Sequence, residues 1–533
     1  MSRRRLVPMA FLPYADRAGA CGRAALAGRG ARLVWRSTRA LAAATLVAVT
    51  AWPTLGAQEK PRTDTLLAFV GATLIDGTGA APLADATIVV QGTRIAAVGS
   101  RGATPVPRGA RVIDVRGKWI TPGFVDANIH ASIYSGIENF ARYQDRFADI
   151  AVEAAQNHLK VGVTTVRDSY GMLGPLTEAR DRIRRGEVPG PRMYVAGNIV
   201  GWGGPWSFSF TGRPPENLSL LQEQMNDAIT QGGGEELVNM GPDSLRLAID
   251  RYLDRGVDFL KYGGTSHFGY PVFIGFSERA QRVIVDAVHA RGLVAETHST
   301  TPEGLLVSLR AGVDLVQHPE VLDVPMSDEI VREFVDRKVV CAMLSNTMTG
   351  APWIEDQRRV RLEDSTRQAR LDSARARGTA QRERTEAEQR RDRGDRGMAI
   401  RRANAERLIR AGCITTIATD NYLGAAPEFR REPKPAWQDP GTGSLAAIEG
   451  LVELGMSPLE AIVAATRNGA LASKALADYG TLERGKSADL LVLTADPIAD
   501  IRNIRKLETV VARGGIVDLA ALPTRRIWTR TTP

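Results

Sequence analysis

The sequence predicts an α/β protein: a (β/α)8 TIM barrel joined to a small composite β-sandwich domain formed by both chain ends. Three observations predict it. Eight apolar, strand-like runs alternate with helical patterns between residues 121 and 480, the rhythm of a parallel α/β fold. Short strands and glycine turns fill residues 58–120, and strands of the same kind return within 481–533. Five of the eight runs end in residues that can hold or bridge a metal, and the active site of such a barrel is built on its strand C-terminal ends.

At 533 residues, 44% hydrophobic and 24% charged, the chain can bury a large core, which excludes wholesale disorder. A net charge of +9 invites a nucleic-acid reading, so its location matters. Residues 1–57 carry nine arginines against one acid, Asp16, which is +8 of the +9. The remainder is close to neutral, and no nucleic-acid partner is expected. The leader also has an apolar run from Ala40 to Trp52, too short to span a bilayer, and small residues at Gly56-Ala57. This is the pattern of a cleaved signal peptide over 1–57. It implies an exported protein, periplasmic or secreted, with no stable membrane insertion after cleavage; an uncut N-terminal anchor is the alternative. Cys341 and Cys413, the cysteines beyond the leader, lie in apolar strand-like runs and are expected as packed thiols without a disulfide.

Taken in order, the first β segment holds Ala68-Phe69-Val70, then Ala72 to Asp76 closed by Gly77-Thr78-Gly79. Ala86 to Val90, Arg94 to Val98 and Arg111 to Val115 follow. Ala488 to Leu493 and Glu508 to Ala512 supply the matching strands from the other end. The barrel strands begin with the run ending at Asn128-Ile129-His130. Gly162 to Asp168, Met193 to Asn198, Val257 to Lys261, Leu293 to His298, Val313 to His318, Val339 to Leu344 and Ile414 to Asp420 complete the eight.

Two stretches depart from a minimal barrel. Gly201 to Phe210 is a glycine- and aromatic-rich loop after the third strand, either pinned by its own aromatic cluster or an apolar wall for a substrate. Ile354 to Arg410 is dense in arginine and glutamate and reads as long solvated helices laced with charge pairs, a hairpin or an arm toward a partner subunit. A homo-oligomer is therefore left open.

The chemistry gathers at the strand ends. Period two sends Asn128 and His130 to one face of the first strand. A lone strand histidine is more often a rim or core residue; the company of Lys261, His298, His318 and Asp420 reverses that weighing. With these in register the chain resembles the amidohydrolase superfamily, in the branch that includes imidazolonepropionase and the Xaa-Pro dipeptidase-like amidases. Gly71 to Gly77, Pro122 to Asp126, Gly455 to Ala461, Ala465 to Asn468 and Gly485 to Leu490 also carry the resemblance.

The resemblance implies one or two divalent ions per chain, with zinc the best match to imidazole and carboxylate ligands. His130 and Asp420 would face one metal, and His298 and His318 would hold the other. Lys261, converted by carbon dioxide to a carbamate, would bridge them. Asp420 would orient a metal-activated hydroxide and carry its proton to the leaving group. Asn128 stands where the family has its first histidine. Three outcomes stay open: a binuclear site with an amide ligand, a single-metal hydrolase, or an inactive relative.

His267, Tyr262, Tyr270, Trp202 and Trp206 are the candidate substrate contacts, and Arg167 and Asp168 are candidates to orient ligands. The implied function is a metal-dependent hydrolase of carbon–nitrogen bonds in a small molecule: an amide, a dipeptide or a cyclic amide. Ester, lactone or phosphoester hydrolysis at the same site, and a non-catalytic binding protein disabled by Asn128, are the alternatives.

Overall fold

The computed structural model describes residues 66–132, 137–212, 217–267, 272–376, 386–422 and 435–528. The leader lies outside them. The chain opens with five strands: β1 (Leu66–Leu74), β2 (Leu83–Gln91), β3 (Arg94–Ser100), β4 (Arg111–Asp114) and β5 (Trp119–Pro122). β1, β2 and β3 pair antiparallel, whereas β4 and β5 run parallel to β1.

The interior strands are β6 (Phe124–His130), β7 (Val163–Asp168), β8 (Arg192–Val195), β9 (Leu260–Gly263), β10 (Ala295–His298), β11 (Leu315–Gln317), β12 (Val340–Met343), β13 (Ile414–Ile417) and β14 (Asn421–Tyr422). β15 (Leu490–Leu493), β16 (Leu507–Ala512) and β17 (Gly515–Ile516) follow. β15 pairs antiparallel with β5, so strands from both ends of the described chain share one eight-stranded sheet. Alternate residues, among them Leu67, Phe69, Ile88, Val90, Leu490 and Val492, point into one apolar cluster, as period two requires.

The interior strands pair in parallel as β14-β6-β7-β8 and β13-β12-β11-β10-β9. The two sheets meet at both margins. Past β8, Val200 bridges to Tyr262: its N–H donates to the Lys261 carbonyl at 2.8 Å, and its own carbonyl accepts from the Gly263 N–H at 2.9 Å. On the other side the Asp420 N–H donates to the Asn128 carbonyl at 2.9 Å, and β14 pairs with the end of β6.

Every residue of β6, β9, β10, β11 and β12 is buried, as parallel strands covered on both faces must be. Helices Phe147–Lys160, Leu173–Arg184, Pro242–Leu253, Glu278–His289, Pro302–Ala311 and Asp328–Asp336 alternate with these strands. Ser277, Thr301 and Ser327 accept a backbone N–H from the first turn of the helix each precedes, which fixes where strand gives way to helix.

One expectation is corrected. Cys341 of β12 and Cys413, just before β13, form a disulfide with Cα atoms 6.4 Å apart. β12 and β13 are hydrogen-bonded neighbours, so thiols 72 residues apart in sequence face each other across one ladder. The charged stretch forms two long helices, Gly350–Ala376 and Glu386–Arg410. At their roots the Arg402 guanidinium lies 4.8 Å from the Trp353 ring, and Ala405 and Leu408 are buried in the main core. Among the described residues no helix is long and apolar enough to cross a membrane.

Candidate active site

The strand ends converge on a cavity of about 270 Å³ walled by His130, Tyr170, Ile199, Trp202, Phe210, Lys261, His267, His298, His318, Asp420 and Tyr422. Each wall residue arrives by a local rule. In β6, alternation sets Asp126, Asn128 and His130 on one face. Below them the Asp126 carboxylate accepts from Ser444 Oγ at 2.7 Å, Thr419 Oγ1 at 2.8 Å and the Asn128 N–H at 3.2 Å. That anchor ties β6 to the segment carrying Asp420. Lys261 follows Leu260 in β9, and His298 is the last residue of β10.

His318 and Asp420 stand just past β11 and β13, both with positive φ, 40° and 52°. Non-glycine residues avoid this region at a cost of about 1–3 kcal/mol, and such outliers cluster at functional sites.

The polar contacts are short. His130 Nε2 lies 2.7 Å from Asp420 Oδ1, and Asn128 Nδ2 donates to the same oxygen at 3.0 Å. His298 Nδ1 and His318 Nε2 face each other at 3.1 Å, and the far nitrogens of both rings are buried without a hydrogen-bond partner. Lys261 Nζ, fully buried, donates to Ser169 Oγ at 3.3 Å, and Ser169 Oγ–H donates to Asn128 Oδ1.

Burial lowers the ammonium of Lys261 against the pull of Asp420, Glu296 and Asp168. It also lowers His318 to about 4 and His298 well below the ordinary imidazole value, the latter helped by His318 and Lys261. Both rings are therefore neutral near pH 7, the state in which imidazole ligates a cation. Burial opposes the charge of Asp420, but His130, His318 and Lys261 outweigh it and hold the carboxyl far below its usual range. Burial raises Asp168 to about 8, against hydrogen bonds from the Ala131 and Tyr170 N–H groups.

Two neutral imidazoles, an ionised carboxylate and a buried amine form a donor set that fits a divalent cation. Among the described residues no three His, Cys, Asp or Glu side chains by themselves make a cation site.

The aromatic loop lies against this cluster. Trp202 packs edge-on to His298 with centroids 4.7 Å apart, its indole N–H donating to the Thr265 carbonyl at 2.9 Å. Gly263 leaves room for the indole, because a Cβ there would collide with its nitrogen. Phe210 stacks on His267 with centroids 4.4 Å apart. Burial lowers the His267 imidazole.

Three expected substrate contacts fare differently from His267 and Trp202. Tyr262 points the other way: next to Lys261 in β9, it turns outward, is fully buried, and donates to Gln281 Oε1 at 2.8 Å. Trp206 is partly buried against the main core and does not line the cavity. Tyr270 lies outside the described residues. Arg167 sits beneath the site in a buried ion pair with Glu296 at 2.5 Å.

Sequence reasoning missed Ser169, Tyr170 and Tyr422. For the first two the available signal was position, directly after Asp168 at a strand end. A larger cavity, about 670 Å³, lies behind Asn346 and Trp437. Two of its three glutamates are matched by arginines, Glu449 with Arg505 and Glu453 with Arg402, and no histidine or lysine lines it.

A family model described as the amidohydrolase family matches residues 119–517. Ochratoxinase of Aspergillus niger is 24% identical over 469 residues, covering 83% of this chain and 84% of its own. The solved structure of molinate hydrolase superposes with a TM-score of 0.74 at 29% identity, covering 89% of this chain and 98% of that one. Phenylurea hydrolase B gives 0.73 at 29% identity, covering 88% and 100%.

Proposed function

The chain belongs to the amidohydrolase family and is a hydrolase of carbon–nitrogen bonds; on that premise we propose that His130, Lys261, His298, His318 and Asp420 hold its divalent cation, with zinc the best match. The observation that carries this reading is the facing pair His298 and His318, two buried neutral imidazoles beside an ionised Asp420. A cation held there would supply acidified water and polarise the scissile carbonyl. Lys261 contributes as a carbamate, for which its lowered ammonium affinity is the favourable starting state.

Asp420 would accept a proton from the attacking water on its carboxylate and return it to the leaving nitrogen. Trp202 and Phe210 keep bulk water from the reacting group. The substrate we favour is an amide- or urea-type small molecule with an apolar or aromatic substituent. The aromatic wall supports this choice, as do the names molinate hydrolase and phenylurea hydrolase among the relatives.

The fold that goes with it is a (β/α)8 barrel over 121–480 carrying the insert 354–410, flanked by a composite β-domain from 58–120 and 481–533. The two margins where the parallel sheets meet support that closure. Export after loss of a signal at 1–57 is the matching localisation, and the Cys341–Cys413 disulfide supports it, since such bonds persist in oxidising compartments.

The test is elemental analysis of the purified protein, with cleavage of N-acyl amino acids, dipeptides and arylureas followed before and after chelation. Bound divalent metal and chelator-sensitive cleavage are expected. No metal and no turnover after reconstitution with zinc(II) would sink the reading.

A further inference from the structure

Ser169 has no place in the ligand set, yet its hydroxyl touches both Lys261 and Asn128. The residue follows β7 directly, is fully buried, and is fixed by its N–H donating to the Ile129 carbonyl at 3.1 Å. Its one hydroxyl proton has one destination, Asn128 Oδ1, because a carboxamide oxygen only accepts. A lone pair of the same Oγ takes the Lys261 N–H at 3.3 Å.

This arrangement decides how Asn128 is turned. The opposite orientation would set the amide oxygen against Asp420 Oδ1, two acceptors facing each other. It would also take away the acceptor of the Ser169 hydroxyl proton. In the orientation present, Nδ2 donates to Asp420 at 3.0 Å, and the same Asp420 oxygen lies 2.7 Å from His130 Nε2. A carboxamide has an acceptor and a donor on one carbon, so it can span serine and aspartate in a single short link. A continuous chain results: Lys261 to Ser169 to Asn128 to Asp420.

We propose that Ser169 is a positioning residue that commits the Asn128 oxygen, so that Asn128 serves as a hydrogen-bond donor orienting Asp420 and not as a cation ligand. The proposal rests on the site reading above and assigns the family's missing histidine a replacement function. Ser169 and Asn128 act as one unit, each without its purpose when the other is gone.

The experiment uses the full-length chain reconstituted with zinc(II), comparing wild type, Ser169→Ala, Asn128→Ala and the double variant. Zinc per chain, zinc retention against a competing chelator, and kcat and KM are read for each. Each single variant is expected to lose about 10- to 100-fold in kcat with KM held, as losses of partners that orient ligands do. The double variant is expected to lose no more than either single one, and Asn128→Ala to keep the wild-type zinc content.

Zinc lost in Asn128→Ala but kept in Ser169→Ala would make Asn128 a ligand and overturn the proposal. Additive losses, or wild-type kcat in Ser169→Ala, would overturn it equally. Should Ser169→Ala not fold, Ser169→Cys retains a weak donor of similar volume and is expected to fall between wild type and Asn128→Ala in kcat; wild-type kcat there, with zinc lost in Asn128→Ala, would again overturn it. A wild-type protein that binds no zinc and turns over nothing would remove the site reading itself, a result distinct from all of these.

Discussion

Two polar layers lie side by side among the parallel strands, and they are built to opposite rules. Arg167, Glu296 and Gln317 come one or two residues before Asp168, His298 and His318. In their layer a cation meets an anion: Arg167 pairs with Glu296 at 2.5 Å, donates to the Ala472 carbonyl and lies 4.0 Å from the Phe259 ring centre. Gln317 adds a hydrogen bond to the other Glu296 oxygen at 3.0 Å. Such a network matches its charge internally and holds strands together, although Arg167 Nε and Gln317 Oε1 stay buried without a partner.

At the mouth, imidazole nitrogens are buried without partners, the amine of Lys261 touches no carboxylate, and two backbone positions are in disfavoured conformations. What separates the layers is the cavity: His130, Lys261, His298, His318 and Asp420 open onto it, and Arg167, Glu296 and Gln317 do not.

The comparison can be broken at either layer. Asp420→Asn should strike activity and spare the fold: asparagine tolerates the left-handed backbone, while loss of the proton carrier and of a carboxylate ligand should lower kcat by about 10²- to 10⁴-fold. Steady-state kinetics beside thermal denaturation checks both halves. Arg167→Met should do the reverse to stability, costing about 3–5 kcal/mol because Glu296 is left buried and unpaired. The urea midpoint measures it, and Arg167→Met/Glu296→Leu should recover most of the loss.

Replacing Cys341 and Cys413 by alanine should cost about 2–4 kcal/mol without touching kcat, since neither lines the cavity. His318→Asn should cost the metal-free protein about 1–3 kcal/mol, because the left-handed φ suits asparagine but the 3.1 Å contact with His298 is lost. It should nevertheless abolish zinc retention.

Much of this was legible in the sequence, and the residues say why. Strand alternation pairs Asn128 with His130, and the runs ending at Lys261, His298, His318 and Asp420 do deliver those side chains to one cavity. The same alternation should have excluded Tyr262, which as Lys261's neighbour in β9 has to face the helices. The disulfide was not legible, because adjacency of β12 and β13 belongs to the fold and cannot be read across a sequence separation of 72. Ser169 was invisible for a similar reason. A serine at a strand end is unremarkable until the atoms on either side of its hydroxyl are known.

The Cys341–Cys413 bond closes a covalent ring that contains the whole of the two charged helices. A protease that cut the polypeptide anywhere inside that ring would release nothing: both halves would stay one molecule until reduced. Changes in the length of the arm between those points would leave β12 tethered to β13, the strand that leads to Asp420.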